Sequence, residues 1–144
     1  PGECHVHAGF RAEHLQKLQQ QHPQAEFILH PECGCVSQCL YMMDQKQIQS
    51  AKILSTSGMI KEVRTSAADE FIIGTEVGII ERMKREVPTK RYYPLKATAI
   101  CEYMKKITLP KVYDSLRLNQ FSITLAPDIQ IAAKRAIDRM VEIG

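Results

Sequence analysis

The stretch from Glu26 to Cys35, which reads EFILHPECGC, constrains the fold most, because a short apolar run ends there in a cluster of polar groups. Phe27–Leu29 predicts a buried strand, and Pro31 ends it since proline has no N–H to donate to a sheet. Titratable side chains at the end of a buried strand are typical of a site at the carboxyl edge of a parallel sheet. The sequence therefore predicts an α/β fold with a site beside His30 and Glu32.

The same design recurs downstream, where Glu70–Glu76 reads EFIIGTE and aligns with Glu26–Glu32 almost residue for residue. Each strand delivers a carboxylate to its C-terminal tip, Glu32 in the first copy and Glu76 in the second. Because parallel strands end at the same edge of a sheet, we expect the two tips to be neighbours that line one crevice.

Turn residues and apolar periodicity predict the other elements. Further strands are expected at 51–54 and 91–95, helices at 11–21, 36–45, 55 onward, 77–85, 97–106, 109–118 and 127–143, and an alternating piece at 121–125. Strands that alternate with helices indicate parallel α/β layers. Ser55 and Thr56 can cap the helix that they open, and the same hydroxyls and amides can hold a carboxylate or a phosphate.

The composition is that of a globular protein and excludes several classes. The 144 residues are 44% hydrophobic and 24% charged, which suffices for a buried core. A net charge of +3 is compatible with an anionic ligand and does not require nucleic acid. No apolar run approaches the ~20 residues of a membrane span, and the N-terminus lacks the apolar segment of a signal peptide. We therefore expect a cytoplasmic protein with no nucleic-acid or membrane partner, and a start on Pro1 indicates a fragment of a larger chain.

Five cysteines and their histidine neighbours are the candidate metal ligands. An odd number without a secretory signal argues against a disulfide framework, and grouped Cys and His in a reducing compartment favour metal binding or catalysis. Cys4 and His7 form a possible pair, and Cys101 opens a predicted helix, where a thiol pKa is lowered. Cys33, Cys35 and Cys39 with a histidine can instead hold zinc. From the residues alone, a non-enzymatic structural zinc module and a catalytic cluster both remain open.

Five motifs, taken in order, resemble the C-terminal half of quinolinate synthase. They are PGECHVHAGF at 1–10, HPEC at 30–33, STS at 55–57, GTE at 74–76 and CEYMKKITL at 101–109. The resemblance implies a three-layer α/β/α unit with a short parallel sheet, within a pseudo-threefold fold of three domains. It also implies a [4Fe–4S] cluster held by one cysteine from each domain. Cys4 and Cys101 match two of those ligands, and the third belongs to the N-terminal part.

The implied activity is that of a transferase in NAD biosynthesis, which condenses iminoaspartate with dihydroxyacetone phosphate to form quinolinate. The iron without a protein ligand acts there as a Lewis acid. The implied partners are the missing N-terminal half of the same enzyme and an L-aspartate oxidase or dehydrogenase that supplies the imine. We expect this chain to be inactive on its own, because its site is shared with the missing part.

The resemblance also assigns roles to residues. Glu32 and His30 are the expected catalytic residues, with Glu32 as an acid/base whose partial burial would bring its pKa toward neutrality. The expected substrate-binding residues are His7, His30, Pro31, Glu32, Ser55, Thr56 and Thr75. Glu76 either touches ligand or only braces the crevice.

The resemblance further implies a division of the chain. Residues 1–96 form an α/β layer that carries one cluster cysteine and the His-Pro-Glu site. Residues 97–144 form a helical segment that carries the second cluster cysteine and packs back on the missing part. Cys35 and Cys39 lie in a stretch that is longer than in shorter family members; we expect them to have no cluster role, although a redox-sensitive pair or a second metal remains open.

Overall fold

The structure, a computed structural model, describes residues 4–143 and has an α/β fold. Its strands are β1 (Glu26–Leu29), β2 (Ala51–Ile53), β3 (Glu70–Gly74) and β4 (Arg91–Pro94). Its helices are α1 (Ala12–Gln21), α2 (Val36–Asp44), α3 (Thr56–Thr65), α4 (Gly78–Glu86), α5 (Leu109–Leu118) and α6 (Pro127–Ile143). Short 3₁₀ turns cover His7–Gly9 and Met104–Lys106. The bounds predicted for α5 and α6 are confirmed, and the strand predicted at Phe27–Leu29 also includes Glu26.

The four strands form one parallel sheet in the order β2-β1-β3-β4, and helices cover both of its faces. Successive side chains of a strand point to opposite faces, so Phe27 and Ile28 of β1 enter different cores. Phe27 packs with Leu15 of α1 on one face, and Ile28 packs with Met59 of α3 and Met83 of α4 on the other. The expected α/β fold with a parallel sheet is confirmed, and its layers are consistent with the three-layer α/β/α arrangement.

The order of the strands creates a switch point between β1 and β3. The chain runs from β1 to β2 on one side and then crosses to β3 on the other side of β1. Ligands of open α/β sheets bind in the crevice outside the carboxyl ends of the strands at such a point. The backbone N–H of His30 donates to the carbonyl of Gly74 at 3.0 Å. The prediction that the two strand tips are neighbours is therefore confirmed.

The two similar stretches are not paired in the sheet as their sequences align. Alignment of the two sequences matches Phe27 with Phe71, but the sheet pairs Phe27 with Ile72 and Glu26 with Phe71. A shift of one residue sends every side chain to the opposite face. Phe27 accordingly packs in one core and Phe71 in the other. The likeness reflects two buried strands of similar composition rather than two copies of one unit.

The helix predicted at 97–106 is absent, because tertiary hydrogen bonds engage its backbone. The carbonyl of Ala99 accepts from the N–H of Val77 at 3.0 Å, and the Ala99 side chain is buried in the core. Only the 3₁₀ turn Met104–Lys106 follows. Cys101 consequently does not open a helix. The alternating residues 121–125 form no strand within the described part of the chain.

The chain divides into two compact units, Pro1–Glu102 and Tyr103–Gly144. The first contains the sheet with helices α1 to α4, and Cys101 belongs to it together with Cys4. The second contains α5 and α6, and neither helix has a buried residue. Within residues 4–143, no helix is both long enough and apolar enough to cross a membrane.

Candidate active site

The segment that carries Cys4 and His7 is folded over the carboxyl edge of the sheet by backbone hydrogen bonds. The N–H of Ala8 donates to the carbonyl of Cys4 at 2.9 Å, which starts the turn that becomes His7–Gly9. The N–H of Gly34 donates to the carbonyl of His7 at 3.1 Å. The first segment of the chain and the loop after β1 are thereby joined at the switch point.

His7 is the centre of the site because its two ring nitrogens contact residues from different strand tips. Its Nδ1 lies 3.1 Å from Oε2 of Glu32, and its Nε2 lies 2.9 Å from Oγ1 of Thr75. The His7 ring also stacks on the His30 ring, with centroids 4.4 Å apart and planes 3° apart. His7 and Thr75 are buried. The structure therefore brings together four of the expected substrate-binding residues.

Glu32 is well placed but not buried. Its Oε2 lies 4.0 Å from Nδ1 of His30, and its side chain is 61% exposed. The partial burial expected for this carboxylate is thus not present in this chain. Pro31, beside it, lies in the exposed turn that ends the strand.

His30 is held as a neutral ring with a defined hydrogen-bonding pattern. Burial lowers its pKa below the usual value of 6.5, the nearby His7 lowers it further, and the carboxylate of Glu32 opposes the shift. The backbone N–H of Glu32 points at His30 Nδ1 over 3.3 Å, so Nδ1 is the acceptor and Nε2 carries the proton. The Nε2–H group is then the ring's donor.

Ser55 and Thr56 lie after β2, which is the strand next to β1, and so at the same edge of the sheet. The Ser55 hydroxyl accepts a hydrogen bond from the N–H of Gly58 at 3.2 Å, and the predicted helix cap is confirmed. Thr56 is the first residue of α3, and both side chains are exposed. They present a helix N-terminus with two hydroxyls, an arrangement that suits an anion.

Glu76 has a structural contact where the sequence left two roles open. Its Oε2 accepts from the N–H of Gly78 at 2.8 Å at the start of α4, and the residue is buried. Glu76 therefore braces α4, whereas its neighbour Thr75 faces His7.

Cys4 and Cys101, the two expected cluster ligands, are both half-buried and both pack against the same hydrophobic core. That core also holds Cys33, Cys35 and Cys39, which are fully enclosed. All five are free thiols. Residues 1–3 of the first motif lie outside the described residues.

The three enclosed thiols behave as core residues. The hydrogen bond between Cys33 and Cys35, helped by burial, raises the pKa of Cys33, and the same bond lowers the pKa of Cys35. Burial raises the pKa of Cys39 to about 12. Cys33 Sγ also donates to the carbonyl of Gly74 at 2.9 Å. Cys39 therefore acts as a small hydrophobic residue of the core.

One group of side chains in residues 4–143 is arranged to hold a metal ion, and it is Cys4, His7 and Glu32, with donor atoms within 4.8 Å of one another. The alternative zinc site, made of Cys33, Cys35, Cys39 and a histidine, does not form such a group among the described residues.

Lys96 is a site residue that the sequence reasoning missed. Its Nζ donates to the carbonyl of Gly9 at 3.2 Å, so it ties the end of the His7–Gly9 turn to the segment that follows β4. Its position immediately after a strand at the functional edge was the available signal. Gly74 was also missed as the acceptor that holds both His30 and Cys33.

Comparison with known proteins gives one consistent result. A family model described as quinolinate synthetase A protein matches residues 1–142. A quinolinate synthase of Thermus thermophilus is 49% identical over 144 residues, which is 100% of this chain and 45% of that protein. One of Pyrobaculum aerophilum is 47% identical over 143 residues, which is 99% of this chain and 46% of that protein. The chain thus spans less than half the length of these relatives.

Proposed function

Because the chain belongs to the quinolinate synthase family, we propose that it supplies one part of an enzyme that condenses iminoaspartate with dihydroxyacetone phosphate to quinolinate, for NAD biosynthesis. The two substrates together supply all the carbon and nitrogen of quinolinate, and hydrogen, oxygen and phosphorus balance when one phosphate and two waters are released with it. The observation that carries the proposal is the switch-point cluster, in which His7 joins Glu32 to Thr75 and stacks on His30.

The donor set of the chain fits part of a [4Fe–4S] cluster. Cys4 and Cys101 are half-buried, belong to one compact unit and pack on one core, and thiolates are the ligands that such clusters use. The third cysteine ligand of the cluster comes from the rest of the protein. When bound, the cluster supplies an iron that withdraws electrons from a substrate oxygen. Cys33, Cys35 and Cys39 have no part in it, since they are enclosed in the core.

Proton transfer is assigned to Glu32, which His7 contacts, and Thr75 orients His7. The exposed carboxylate of Glu32 can take a proton from a bound substrate, and His7 Nδ1 lies 3.1 Å from its Oε2. Thr75 holds the opposite ring nitrogen of His7 at 2.9 Å and fixes the ring's orientation. The loss of each water needs a proton removed from carbon or from the ring nitrogen and a proton given to the leaving oxygen, which suits a group that alternates between acid and base.

The binding of substrate anions is assigned to His30 and to the start of α3. His30 is neutral at pH 7 because burial lowers its pKa, and its Nε2–H can donate to a carboxylate or carbonyl oxygen. Thr56, with the amides of the first turn of α3, offers a second anion site, while Ser55 keeps that turn in place. Pro31 fixes the turn that sets His30 and Glu32 beside each other.

The remaining part of the enzyme is the proposed partner of the C-terminal segment from residue 97. Large apolar side chains of the unit Tyr103–Gly144 are exposed, among them Leu109 at 81% and Ile123 at 88%. Buried apolar area contributes about 25 cal/mol per Å² to stability, so a surface of this kind favours packing against the missing part. The chain alone is then inactive, and an L-aspartate oxidase or dehydrogenase supplies its unstable imine.

The test combines this chain with the remaining part of the family protein under anaerobic conditions, with iron and sulfide. Quinolinate formation from the two substrates is then measured. Turnover is expected only when both parts are present. Glu32→Gln should keep the iron content and lose turnover, because the amide cannot carry a proton. Glu13→Gln, at an exposed position of α1, is the matched control and should remain active. A fully active Glu32→Gln protein would remove the acid/base role.

A further inference from the structure

Cys4, His7 and Glu32 have the composition of a mononuclear metal site. Their donor atoms lie within 4.8 Å of one another. Around a tetrahedral ion with metal–sulfur bonds of about 2.3 Å and metal–nitrogen or metal–oxygen bonds of about 2.0–2.1 Å, donor atoms lie roughly 3.3–3.6 Å apart. His7 Nδ1 and Glu32 Oε2 are already 3.1 Å apart. The donor atoms therefore need to approach one another by up to about 1.2–1.5 Å.

Thr75 and His30 hold the histidine in the orientation that a metal ligand needs. In the tautomer in which Nε2–H donates to Thr75 Oγ1, over 2.9 Å, the lone pair of Nδ1 points to the Glu32 carboxylate. Two lone pairs facing each other over 3.1 Å repel unless a proton or a cation lies between them. Histidine ligands commonly donate their second ring N–H to a hydrogen-bond acceptor, which fixes the orientation of the ring. The buried Thr75 hydroxyl can be this acceptor for His7 Nε2, and the stacked His30 ring covers one face of His7.

The remaining two ligands can complete the site at little cost. Glu32 is 61% exposed and can turn toward an ion without disturbing the core. Cys4 is half-buried, and its sulfur lies within 4.8 Å of the donor atoms of His7 and Glu32. A mixed set of sulfur, nitrogen and oxygen donors suits Zn²⁺ or Co²⁺ and does not suit Mg²⁺ or Ca²⁺, which prefer oxygen alone.

We propose that, whenever Cys4 does not hold a cluster, the chain binds one divalent transition-metal ion through Cys4, His7 and Glu32, with the fourth position open to water. This site differs from the proposed cluster site, since it uses neither Cys101 nor any residue of the missing part. Because both use Cys4, they exclude each other. Zinc bound here therefore blocks assembly of the cluster.

The test titrates the reduced, metal-free 144-residue chain with Co²⁺ under anaerobic conditions. One equivalent should bind and produce a thiolate-to-cobalt charge-transfer band together with the visible bands of a tetrahedral ion. Equimolar Zn²⁺ should remove both. Cys4→Ser should abolish the charge-transfer band, and Glu32→Gln should weaken binding. Thr75→Val, which touches the metal only through His7, should weaken it by about 10–100-fold.

Cys101→Ser is the matched thiol control and separates this proposal from the cluster assignment. It should leave the cobalt spectrum unchanged, whereas the proposed cluster should be lost. Circular dichroism verifies that each variant is folded. The proposal is overturned if the folded chain takes up no Co²⁺ at equimolar concentration. It is also overturned if Cys4→Ser keeps the charge-transfer band or if Cys101→Ser removes it.

Discussion

Gly74 is the position where the smallest change in sequence should have a large structural effect. It ends β3 beneath the site, and its carbonyl accepts hydrogen bonds from His30 N and Cys33 Sγ. A Cβ at Gly74 would lie 2.4 Å from Cδ2 of Leu29 and 3.3 Å from Cδ2 of Leu95. The optimal distance between carbon atoms is about 3.5–4.0 Å, so Gly74→Ala forces the core to move.

The expected cost follows from the burial of the neighbours. Leu29 is fully buried, so its methyl group cannot swing into solvent and must displace other core atoms. Overpacking of this kind costs about 1–3 kcal/mol. The loss of glycine's freedom in the unfolded chain returns about 0.4–1 kcal/mol. We therefore expect Gly74→Ala to lower the free energy of unfolding by about 1–2 kcal/mol.

Urea unfolding, followed by circular dichroism and extrapolated linearly, measures this difference. Gly58→Ala is the matched control, because its new Cβ would approach Leu54 Cβ no closer than 3.3 Å and because alanine is favoured in a helix by up to about 1 kcal/mol. The control should be neutral or stabilising. The double variant Gly74→Ala/Leu29→Ala should show a favourable coupling of about 1 kcal/mol or more, since the clash disappears. Strict additivity, or an unchanged stability of Gly74→Ala, would refute the reasoning.

Three further changes test other parts of the structure. The pKa of His30 is lowered below about 6.5, so its contribution to stability is complete above that pH and is lost as pH falls toward the folded pKa. In urea unfolding between about pH 7.5 and pH 5, His30→Gln should reduce the fall of the free energy of unfolding with pH. An unchanged pH dependence would contradict this expectation. Ser55→Ala should cost about 0.5–2 kcal/mol through the lost cap, with Ser55→Asn retaining most of the stability; equal losses would argue against the cap. Cys39→Ser should cost about 1–3 kcal/mol more than its hydrophobic counterpart Cys39→Ala, because it buries a hydroxyl; equal unfolding midpoints would contradict the core role.

Much of the sheet is predictable from local sequence. Apolar runs of three to five residues bounded by Pro, Gly and acidic residues identify β1 and β3, since little else buries such a run in a chain of this size. The helix expected at 97–106 fails for a tertiary reason. The N–H of Val77 donates to the carbonyl of Ala99. A sequence pattern that considers only neighbouring residues cannot predict this hydrogen bond.

The site is predictable in outline and not in its contacts. His30 and Thr75 follow adjacent parallel strands, so the sequence predicts that they share an edge. The hydrogen bond between His7 and Thr75 joins residues 68 positions apart, and it depends on the fold of the first segment over the sheet. Periodicity also could not reveal the one-residue shift that separates Phe27 from its apparent counterpart Phe71.

Cys4 and Cys101 are proposed to share one iron–sulfur cluster with a cysteine from the rest of the protein. Iron and acid-labile sulfide, counted after anaerobic reconstitution of the two parts together, test it most directly. About four of each per assembled protein are expected, with loss of the cluster in Cys4→Ser and in Cys101→Ser and retention in Cys39→Ser. A full complement of iron in Cys101→Ser, together with an empty Cys39→Ser protein, would contradict the claim.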